Sequence, residues 1–475
     1  MSPGNPGEPT DQVAEEGGRV KRWALIMGPV GGLLAGWLGR QGGLEPAAAI
    51  TLVIAVWTAT WWILEAIPIP ITSLLPLALL PLFGVLTPSA VAERYGHPLV
   101  LLLLGGFLLS RAMETSGTHR RIALMMVHAC PSGGRFLVLG FMLAAAFLSM
   151  WISNTATTLM MLPMAIAVMQ NCPDQRLKVP LLLGIAYAAS VGGIATPIGT
   201  PPNLVMIGAY KELGFPEIGF GEWMKVALPV SLGMVALIWL WLTRNLSNTL
   251  SVTLPDPGSW RAEEVRTLIV FGLTALAWMT RSEPFGGWKT WLGLPAANDA
   301  SVAFLAVILL FCLPNGTRPG KRLLDWESAN QIPWGMLVLV GSGLCLGEGF
   351  RQSGLSGAIA QVFTGLEKVP TLFLLLGVAL LVTFLTEMTS NTATTNILMP
   401  ILGAAALASQ LDPRLLMIPA AFSASCAFML PVATIPNAVV FGTGQVTIRR
   451  MVREGLVLNF AGALVVTVVC YVFLG

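Results

Sequence analysis

The chain has 475 residues and a formal net charge of +3, with 55% hydrophobic residues and only 11% charged residues. Its mean hydropathy of +0.75 excludes an ordinary soluble globular domain, in which about a quarter of the residues are charged. The composition is that of an integral membrane protein, so we expect a lipid bilayer as its surroundings and no nucleic-acid partner.

The first 18 residues are polar, with frequent Pro, Gly and acidic residues, and they begin a predicted tail of residues 1–22. This segment lacks both the basic start and the short apolar core of a cleaved signal peptide. We predict that it is a disordered tail in the cytoplasm.

Several apolar runs are long enough to cross a hydrocarbon core of about 30 Å as helices. They lie near residues 23–39, 47–67, 97–113, 223–243, 298–313 and 454–474. Two further apolar stretches, 136–170 and 372–408, are too long for a single crossing. The chain is therefore predicted to be an all-α polytopic membrane protein.

The hexapeptide SNTATT occurs at residues 153–158 and again at 390–395, in the middle of each long stretch. A turn in solvent usually contains Gly, Pro or charge, and the segment WISNTATTLMM contains none of these. Two full crossings joined outside the membrane are the alternative. We favour re-entrant helical hairpins at 135–170 and 370–410, whose tips stop inside the membrane and line a cavity.

Each hairpin is followed by an apolar helix that prolines must interrupt. The motif TPIGTPPN lies in the first of these broken helices, 180–210, and VATIPN lies in the second, 413–442. The two hairpins align with each other, and the two proline motifs align at nearly the same spacing. This double match indicates an internal repeat.

The repeat divides the chain into regions that alternate with predicted scaffold segments. After the tail come scaffold helices at 23–96, the first repeat at 97–250, scaffold helices and loops at 251–331, and the second repeat at 332–475.

Positive charge sets the predicted orientation, because most Lys and Arg residues fall at the cytoplasmic ends of segments when the N-terminus is inside. The C-terminus is then outside. The crossings that separate the two hairpins lie near 180–210, 223–243, 264–280, 298–313 and 332–350. Their number is odd, so the second repeat is inverted and the two tips can meet near the midplane. Inverted repeats with broken helices are the recurring plan of secondary transporters.

The side chains at the predicted tips and helix breaks are polar and uncharged. They are Ser153, Asn154, Thr155, Ser390, Asn391, Thr392, Thr200, Asn203, Thr434 and Asn437. Hydroxyl and amide groups beside helix N-termini can hold an anion without an Arg that would delay its release. Free backbone carbonyls at the breaks, together with side-chain oxygens, suit sodium. One such cluster often only joins helices, but its duplication favours a binding site.

Charged residues near the motifs are few. Glu387, three residues before Ser390, is a candidate functional charge. Arg111 and Glu348 occupy equivalent positions in the two repeats, where pairing with each other and anchoring of helix ends are both open.

At these residues the sequence resembles the divalent anion/sodium symporter family, which includes sodium-coupled carriers of succinate, malate and related dicarboxylates. The two SNT motifs and the GTPPN and VATIPN segments carry the resemblance, which covers most of the chain. It implies Na+ as the coupling ion, about eleven transmembrane helices and a homodimer. It also implies elevator-like movement of a hairpin-bearing domain against a fixed scaffold.

The resemblance also implies the site residues. Substrate contacts are expected from Ser153, Asn154, Thr155, Thr200, Ser390, Asn391, Thr392, Thr434 and Ile435. One sodium site is expected at Ser149, Asn154 and Gly199, and a second at Thr386, Thr389, Asn391 and Ala433. Ile435 departs from the pattern, since relatives tend to have Pro-Pro there, as this chain has at Pro201 and Pro202 in its first half.

These observations lead to one main functional prediction, which is sodium-coupled symport of C4-dicarboxylates across the cytoplasmic membrane. The alternatives on the same fold are a sodium-independent dicarboxylate exchanger and a carrier of citrate or sulfate. An enzyme is not expected, because neither a nucleophile with its base nor a metal motif is visible. A channel would need a continuous polar pore, which isolated clusters do not provide.

Overall fold

The computed structural model describes residues 10–131, 133–170, 174–246, 258–282, 286–317, 320–362 and 368–474. Within these ranges the chain forms α-helices and short 3-10 turns, and no β-strand is present. The prediction of an all-α protein is confirmed.

The helices before the first repeat form one group. They are α1 (Thr10–Gln41), α2 (Pro46–Leu64), α3 (Ile69–Thr72), α4 (Leu75–Leu82) and α5 (Pro88–Tyr95). Helix α1 begins at Thr10, so residues 10–22 of the predicted tail are helical in the structure. Residues 1–9 lie outside the described part of the chain.

The first repeat contains a helical hairpin and a broken helix where the sequence predicts them. Its helices are α6 (Pro98–Ser116), α7 (Thr118–Ala129), α8 (Gly134–Ser149), α9 (Asn154–Gln170), α10 (Lys178–Gly192), α11 (Pro201–Glu212) and α12 (Phe220–Leu242). The hairpin consists of α8 and α9, with the SNT motif at its tip. The broken helix consists of α10 and α11, which are separated by the 193–200 segment.

The helices between the repeats are α13 (Ala262–Met279), α14 (Gly287–Trp291), α15 (Asp299–Cys312) and α16 (Trp326–Ala329). The second repeat follows with α17 (Trp334–Gln352), α18 (Leu355–Val362), α19 (Thr371–Thr386), α20 (Asn391–Ala408), α21 (Arg414–Ser423), α22 (Ile435–Phe441) and α23 (Ile448–Leu474). Here α19 and α20 form the hairpin, and α21 and α22 form the broken helix.

Among the described residues, five helical segments are long and apolar enough to cross a membrane. They are Pro46–Leu64, Pro88–Ser116, Gln175–Ala195, Phe220–Leu242 and Ile448–Leu474. Shorter apolar helices, which include both first arms of the hairpins, lie between them. The protein is therefore a multi-pass membrane protein.

Helix α10 lies at the centre of the fold and is buried from Pro180 to Gly192. Its small residues allow the neighbouring hairpin arm α8 to approach closely. A Cβ atom on Gly192 would overlap the backbone of Ala146, and one on Gly184 would lie 3.1 Å from the Met142 side chain. This packing fixes the first broken helix against the first hairpin.

A separate apolar cluster joins the early helices to the second repeat. Ile54 and Trp62 of α2 pack there with Leu80 of α4, Val91 of α5 and Leu339 of α17. The indole N–H of Trp62 donates to the Ser73 hydroxyl at 3.0 Å inside this region. Helices α2, α4, α5 and α17 therefore form one packed body, which we call the early-helix body.

The two repeats interlock around their broken helices. The hairpin arm α9 of the first repeat packs against α22 of the second, and the hairpin arm α20 packs against α11 of the first. The Tyr187 hydroxyl of α10 donates to the Phe428 carbonyl at 2.6 Å, which joins the first broken helix to the second break. Each half therefore helps to build the surroundings of the other half's motif.

Candidate functional site

The first hairpin turns at the SNT motif, between the end of α8 at Ser149 and the start of α9 at Asn154. The Ser149 hydroxyl donates to Asn154 Oδ1 at 2.5 Å. The Ser153 hydroxyl accepts from the Ala156 N–H at 3.2 Å, as expected for a residue that precedes a helix. The tip therefore holds the Asn154 amide oxygen in a fixed position, and Ser153, Asn154 and Thr155 are half-buried.

The first helix break brings backbone oxygens to the same place. A Cβ atom on Gly193 would lie 2.8 Å from Asn154 Oδ1 and 3.1 Å from the Gly199 carbonyl oxygen. A Cβ atom on Gly199 would overlap the Gly193 carbonyl. Ser149 Oγ, Asn154 Oδ1 and the carbonyl oxygens of Gly193 and Gly199 form what we call the first oxygen cluster. Uncharged oxygens gathered in this way suit a hard cation such as sodium.

Asn203 of α11 holds the first break in shape. Its amide nitrogen lies 2.9 Å from the Gly193 carbonyl, 3.2 Å from that of Ile194 and 2.7 Å from that of Thr196. These contacts orient the amide, and its buried oxygen has no hydrogen-bond partner among the described residues. Asn203 is therefore a supporting residue of the break, with one acceptor left for a ligand or water.

The second hairpin repeats the first contact with a threonine. Thr386 Oγ1, at the end of α19, lies 2.8 Å from Asn391 Oδ1 and 3.1 Å from the Ala424 carbonyl oxygen. These three oxygens form what we call the second oxygen cluster. Thr389, which is also expected in this sodium site, contacts the Thr394 hydroxyl at 2.5 Å.

The second break is held by the residue equivalent to Asn203. The Asn437 amide nitrogen donates to the carbonyls of Ala427 at 3.0 Å and Leu430 at 3.1 Å, and its oxygen is buried without a described partner. The Ala433 N–H donates to the Leu430 carbonyl at 3.2 Å. The carbonyl that lies beside Thr386 is that of Ala424, a residue that was not among the sequence predictions.

The two breaks differ in their small residues. Gly193 and Gly199 of the first break align with Ala427 and Ala433 of the second. A side chain at either glycine would enter the first oxygen cluster, whereas the second break carries two methyl groups at the aligned places. The two oxygen clusters are thus related but not identical.

Helix N-termini supply a positive potential beside the oxygen clusters. Helices α9, α11 and α20 begin at Asn154, Pro201 and Asn391. The hydroxyls of Thr200 and Ser390, which precede α11 and α20, make no capping bond to the helices that follow. Such N-termini attract anions, and the uncapped hydroxyls can donate to a carboxylate.

The tip and the break of the second repeat are more exposed than those of the first. Met388, Val432 and Ile435 are 77%, 79% and 58% exposed. At the aligned places of the first repeat, Ile198 is 6% exposed, and Trp151 stacks on Phe220 with ring centroids 6.0 Å apart. The site is therefore covered along α11 and uncovered along α22.

The structure shows the partners of the charged residues singled out in the sequence. Arg111 and Glu348 do not pair, because Arg111 binds Glu114 at 2.8 Å and Glu348 pairs with Arg351 and Arg94. Both residues occupy equivalent positions, but each finds a nearer partner of opposite charge. Glu387 is buried and accepts backbone N–H groups of the second break, a role that only the fold reveals.

Known proteins resemble this chain over most of its length. The citrate transporter family (CitMHS) matches residues 59–417. A sodium-dependent dicarboxylate transporter of Staphylococcus saprophyticus is 38% identical over 94% of this chain and 90% of its own length. A protein of the same name from Staphylococcus aureus is 37% identical with the same coverage.

Two solved structures share the fold at low sequence identity. The Alcanivorax borkumensis YdaH transporter aligns with a TM-score of 0.54 at 16% identity, covering 83% of this chain and 88% of its own. Neisseria gonorrhoeae MtrF aligns with a TM-score of 0.57 at 14% identity, covering 81% and 83%. Given the family match and the relatives at this identity, the chain belongs to the divalent anion/sodium symporter family of membrane transporters.

Proposed function

We propose that the protein is a secondary active transporter that couples sodium to the movement of C4-dicarboxylates, of the succinate, malate and fumarate type, across the cytoplasmic membrane. The observation that carries this proposal is the pair of uncharged oxygen clusters, each beside the N-terminus of a hairpin arm. The names of the relatives, which are sodium-dependent dicarboxylate transporters, support the same coupling ion and substrate class.

The substrate dianion would lie between the two SNT motifs. Its carboxylates would accept hydrogen bonds from the side chains of Ser153, Asn154, Thr155, Thr200, Ser390, Asn391, Thr392 and Thr434. No side chain in this set carries a charge, so the anion depends on helix dipoles and on bound cations for its stabilisation. Binding is therefore strong only when sodium is present, and release follows when sodium leaves.

The sodium ions would occupy the two oxygen clusters. Ser149, Asn154 and the carbonyls of Gly193 and Gly199 would replace water around the first ion. Thr386, Asn391 and the carbonyl of Ala424 would do so for the second, and Thr389 of the hairpin tip and Ala433 of the break are further candidates. Because Asn154 and Asn391 belong to both sets, each amide would link an ion to the substrate.

We further propose that the chain has eleven transmembrane helices and two re-entrant hairpins, and works as a homodimer by an elevator movement. The uneven exposure of the two breaks supports alternating access. Helix α11 is almost wholly buried, whereas Ile435 and Ala438 of α22 are exposed. A movement that exchanged these environments would open the site first on one side and then on the other.

Uptake of radiolabelled succinate into proteoliposomes tests the proposal directly. Uptake should require an inward sodium gradient, and replacing sodium by choline should abolish it. Succinate uptake without sodium, driven by internal dicarboxylate, would instead support the exchanger. Competition by citrate or sulfate stronger than that by malate would indicate another divalent anion as the substrate.

The same assay tests the site. Asn154→Ala and Asn391→Ala should each abolish uptake while the protein still inserts and purifies. Asn298→Ala is a suitable control, because Asn298 caps α15 and contacts neither oxygen cluster. Near-parental transport by either site variant would contradict the assignment for that half.

A further inference from the structure

Glu387 is a buried carboxylate that the first repeat lacks. It follows Thr386 directly and is 3% exposed. The aligned residue of the first repeat is Met150. A carboxylate taken out of water must be compensated by a partner or by hydrogen bonds, so its surroundings should show what it does.

The Glu387 carboxylate binds the loop that forms the second break. Its Oε1 accepts the N–H groups of Phe428 at 2.7 Å and Met429 at 2.9 Å, and its Oε2 accepts the N–H of Leu430 at 3.0 Å. The Asn459 amide of α23 donates to Oε1 at 2.7 Å. Successive backbone N–H groups that point at one anion form a favourable binding concavity.

No cation neutralises this carboxylate directly. Among the residues that the structure describes, no Lys, Arg or His forms an ion pair with Glu387 within 4.0 Å. Other buried carboxylates differ, since Glu454 pairs with Arg244 and Arg450, both at 2.9 Å. The charge of Glu387 is therefore balanced only by dipoles, and its field extends to groups nearby.

The first repeat makes the corresponding contact without charge. There the Thr196 hydroxyl donates to the Met150 carbonyl at 2.5 Å. Thr196 aligns with Leu430, and Met150 aligns with Glu387. In both repeats the residue after the first hairpin arm is bonded to the same position of the break, but only in the second repeat is a carboxylate the acceptor.

The loop that Glu387 holds also carries an oxygen of the second cluster. It begins after α21 with Ala424, whose carbonyl lies 3.1 Å from Thr386 Oγ1. Glu387 binds its other end at residues 428–430, and Asn437 binds the carbonyls of Ala427 and Leu430. Displacing the loop would move the Ala424 carbonyl away from Thr386.

We propose, on the basis of the proposed sodium-coupled function, that Glu387 is the positioning residue of the second oxygen cluster. It holds the 424–430 loop so that the Ala424 carbonyl stays beside Thr386, and its negative charge raises the affinity of this cluster for sodium. The first oxygen cluster has no such charge, so the two sodium sites are unequal. Glu387 itself need not touch the ion or the substrate.

Two readouts on the purified full-length protein test this role. One is the sodium dependence of succinate uptake at saturating succinate, and the other is the thermal stabilisation of the detergent-solubilised protein by NaCl relative to choline chloride. Glu387→Gln keeps the size of the side chain and removes the charge. It should raise the half-saturating sodium concentration in both readouts by about tenfold, the scale seen when groups behind metal ligands are lost.

Three further variants separate charge from packing. Glu387→Asp keeps the charge on a shorter side chain and should restore part of the sodium affinity. Asn459→Ala removes one donor to the carboxylate and should shift the sodium dependence less, in the same direction. Glu454→Gln removes a buried carboxylate elsewhere on α23 and should leave the half-saturating sodium concentration unchanged.

Each outcome decides a different point. A Glu387→Gln protein with parental sodium dependence and only a lower maximal rate would make Glu387 a packing residue and overturn the inference. If that variant does not fold, unchanged sodium dependence in both Glu387→Asp and Asn459→Ala would overturn it equally. If neither succinate uptake nor thermal stability of the parent protein depends on sodium, the proposed function is wrong, and the inference fails with it.

Discussion

Arg94 of α5 forms an ion pair with Glu212, the last residue of α11. The same guanidinium lies 3.4 Å from the carboxylate of Glu348 on α17, which is only 1% exposed. Helix α11 begins at the candidate site, whereas α5 and α17 belong to the early-helix body. The pair therefore joins the covered side of the site to that body, and Arg94 also has a second partner, Glu348, within the body.

Glu212→Gln should weaken this connection and uncover α11 more often, because a partly buried ion pair loses one of its charges. In a background without native cysteines, Met206→Cys on buried α11 would report the change. Its labelling by a polar thiol reagent should become several-fold faster when Glu212→Gln is added. Asp174→Asn serves as the control, because it alters a carboxylate outside the ion pairs of Arg94. Equal labelling rates in the Met206→Cys protein and in its Glu212→Gln and Asp174→Asn derivatives would contradict the connection.

Ser149→Ala and Thr386→Ala should each weaken sodium binding before they weaken substrate binding. Each removes one oxygen from a cluster, and linkage then lowers substrate affinity by the same factor that couples the two ligands. The half-saturating sodium concentration for uptake should rise by about tenfold, with much of the rate recovered at saturating sodium. Unchanged sodium dependence in both variants would leave these hydroxyls as helix-packing groups.

Gly193→Ala and Gly199→Ala should abolish sodium-dependent uptake, although alanine stands at both aligned places in the second repeat. The added methyl group would enter the first oxygen cluster and push against Asn154 Oδ1 or the Gly193 carbonyl. Sodium-dependent thermal stabilisation should fall in parallel with uptake. Gly377→Ala is the matched control, because a Cβ atom at this helical glycine would meet nothing within 4 Å.

The sequence predicted the helical hairpins and the broken helices, and the resemblance placed Ser149 with Asn154, and Thr386 with Asn391, in expected sodium sites. These features follow from local rules, since a repeated polar motif in an apolar stretch and a proline inside a helix are visible in one dimension. The contact of Thr386 with the Ala424 carbonyl was not predictable, because it joins residues that are distant in sequence through an irregular loop. Glu387 was recognised as unusual, but its backbone partners depend on the same loop.

Arg111 and Glu348 show what a repeat alone cannot decide, since of the two roles left open for them, pairing with each other does not occur. Alignment tells which residues occupy equivalent places, but it does not tell which residues touch. Arg111 also donates to the Ser328 carbonyl at 3.2 Å, and Glu348 accepts from Arg351, one helical turn away. Both charged groups are therefore bound by neighbours on their own helices and by nearby loop groups, not by each other.

Ile435 is expected to limit the size of the substrate. It is the first residue of α22, next to Thr434 of the substrate set, and 58% of its side chain is exposed along the uncovered side of the site. A branched side chain at this position would restrict an anion bulkier than a C4-dicarboxylate. Succinate and malate should therefore compete with labelled succinate better than citrate does in the parent protein.

Ile435→Ala should improve competition by citrate and leave competition by malate nearly unchanged, because the smaller side chain opens space without removing a hydrogen-bonding group. Ile435→Pro should act in the same direction, since proline is tolerated in the first turn of a helix and occupies the aligned place at Pro201. Ile448→Ala is the matched control, because Ile448 also begins its helix and is 52% exposed. Tight competition by citrate in the parent, or an equal gain in the Ile448→Ala protein, would show that Ile435 does not set the size of the site.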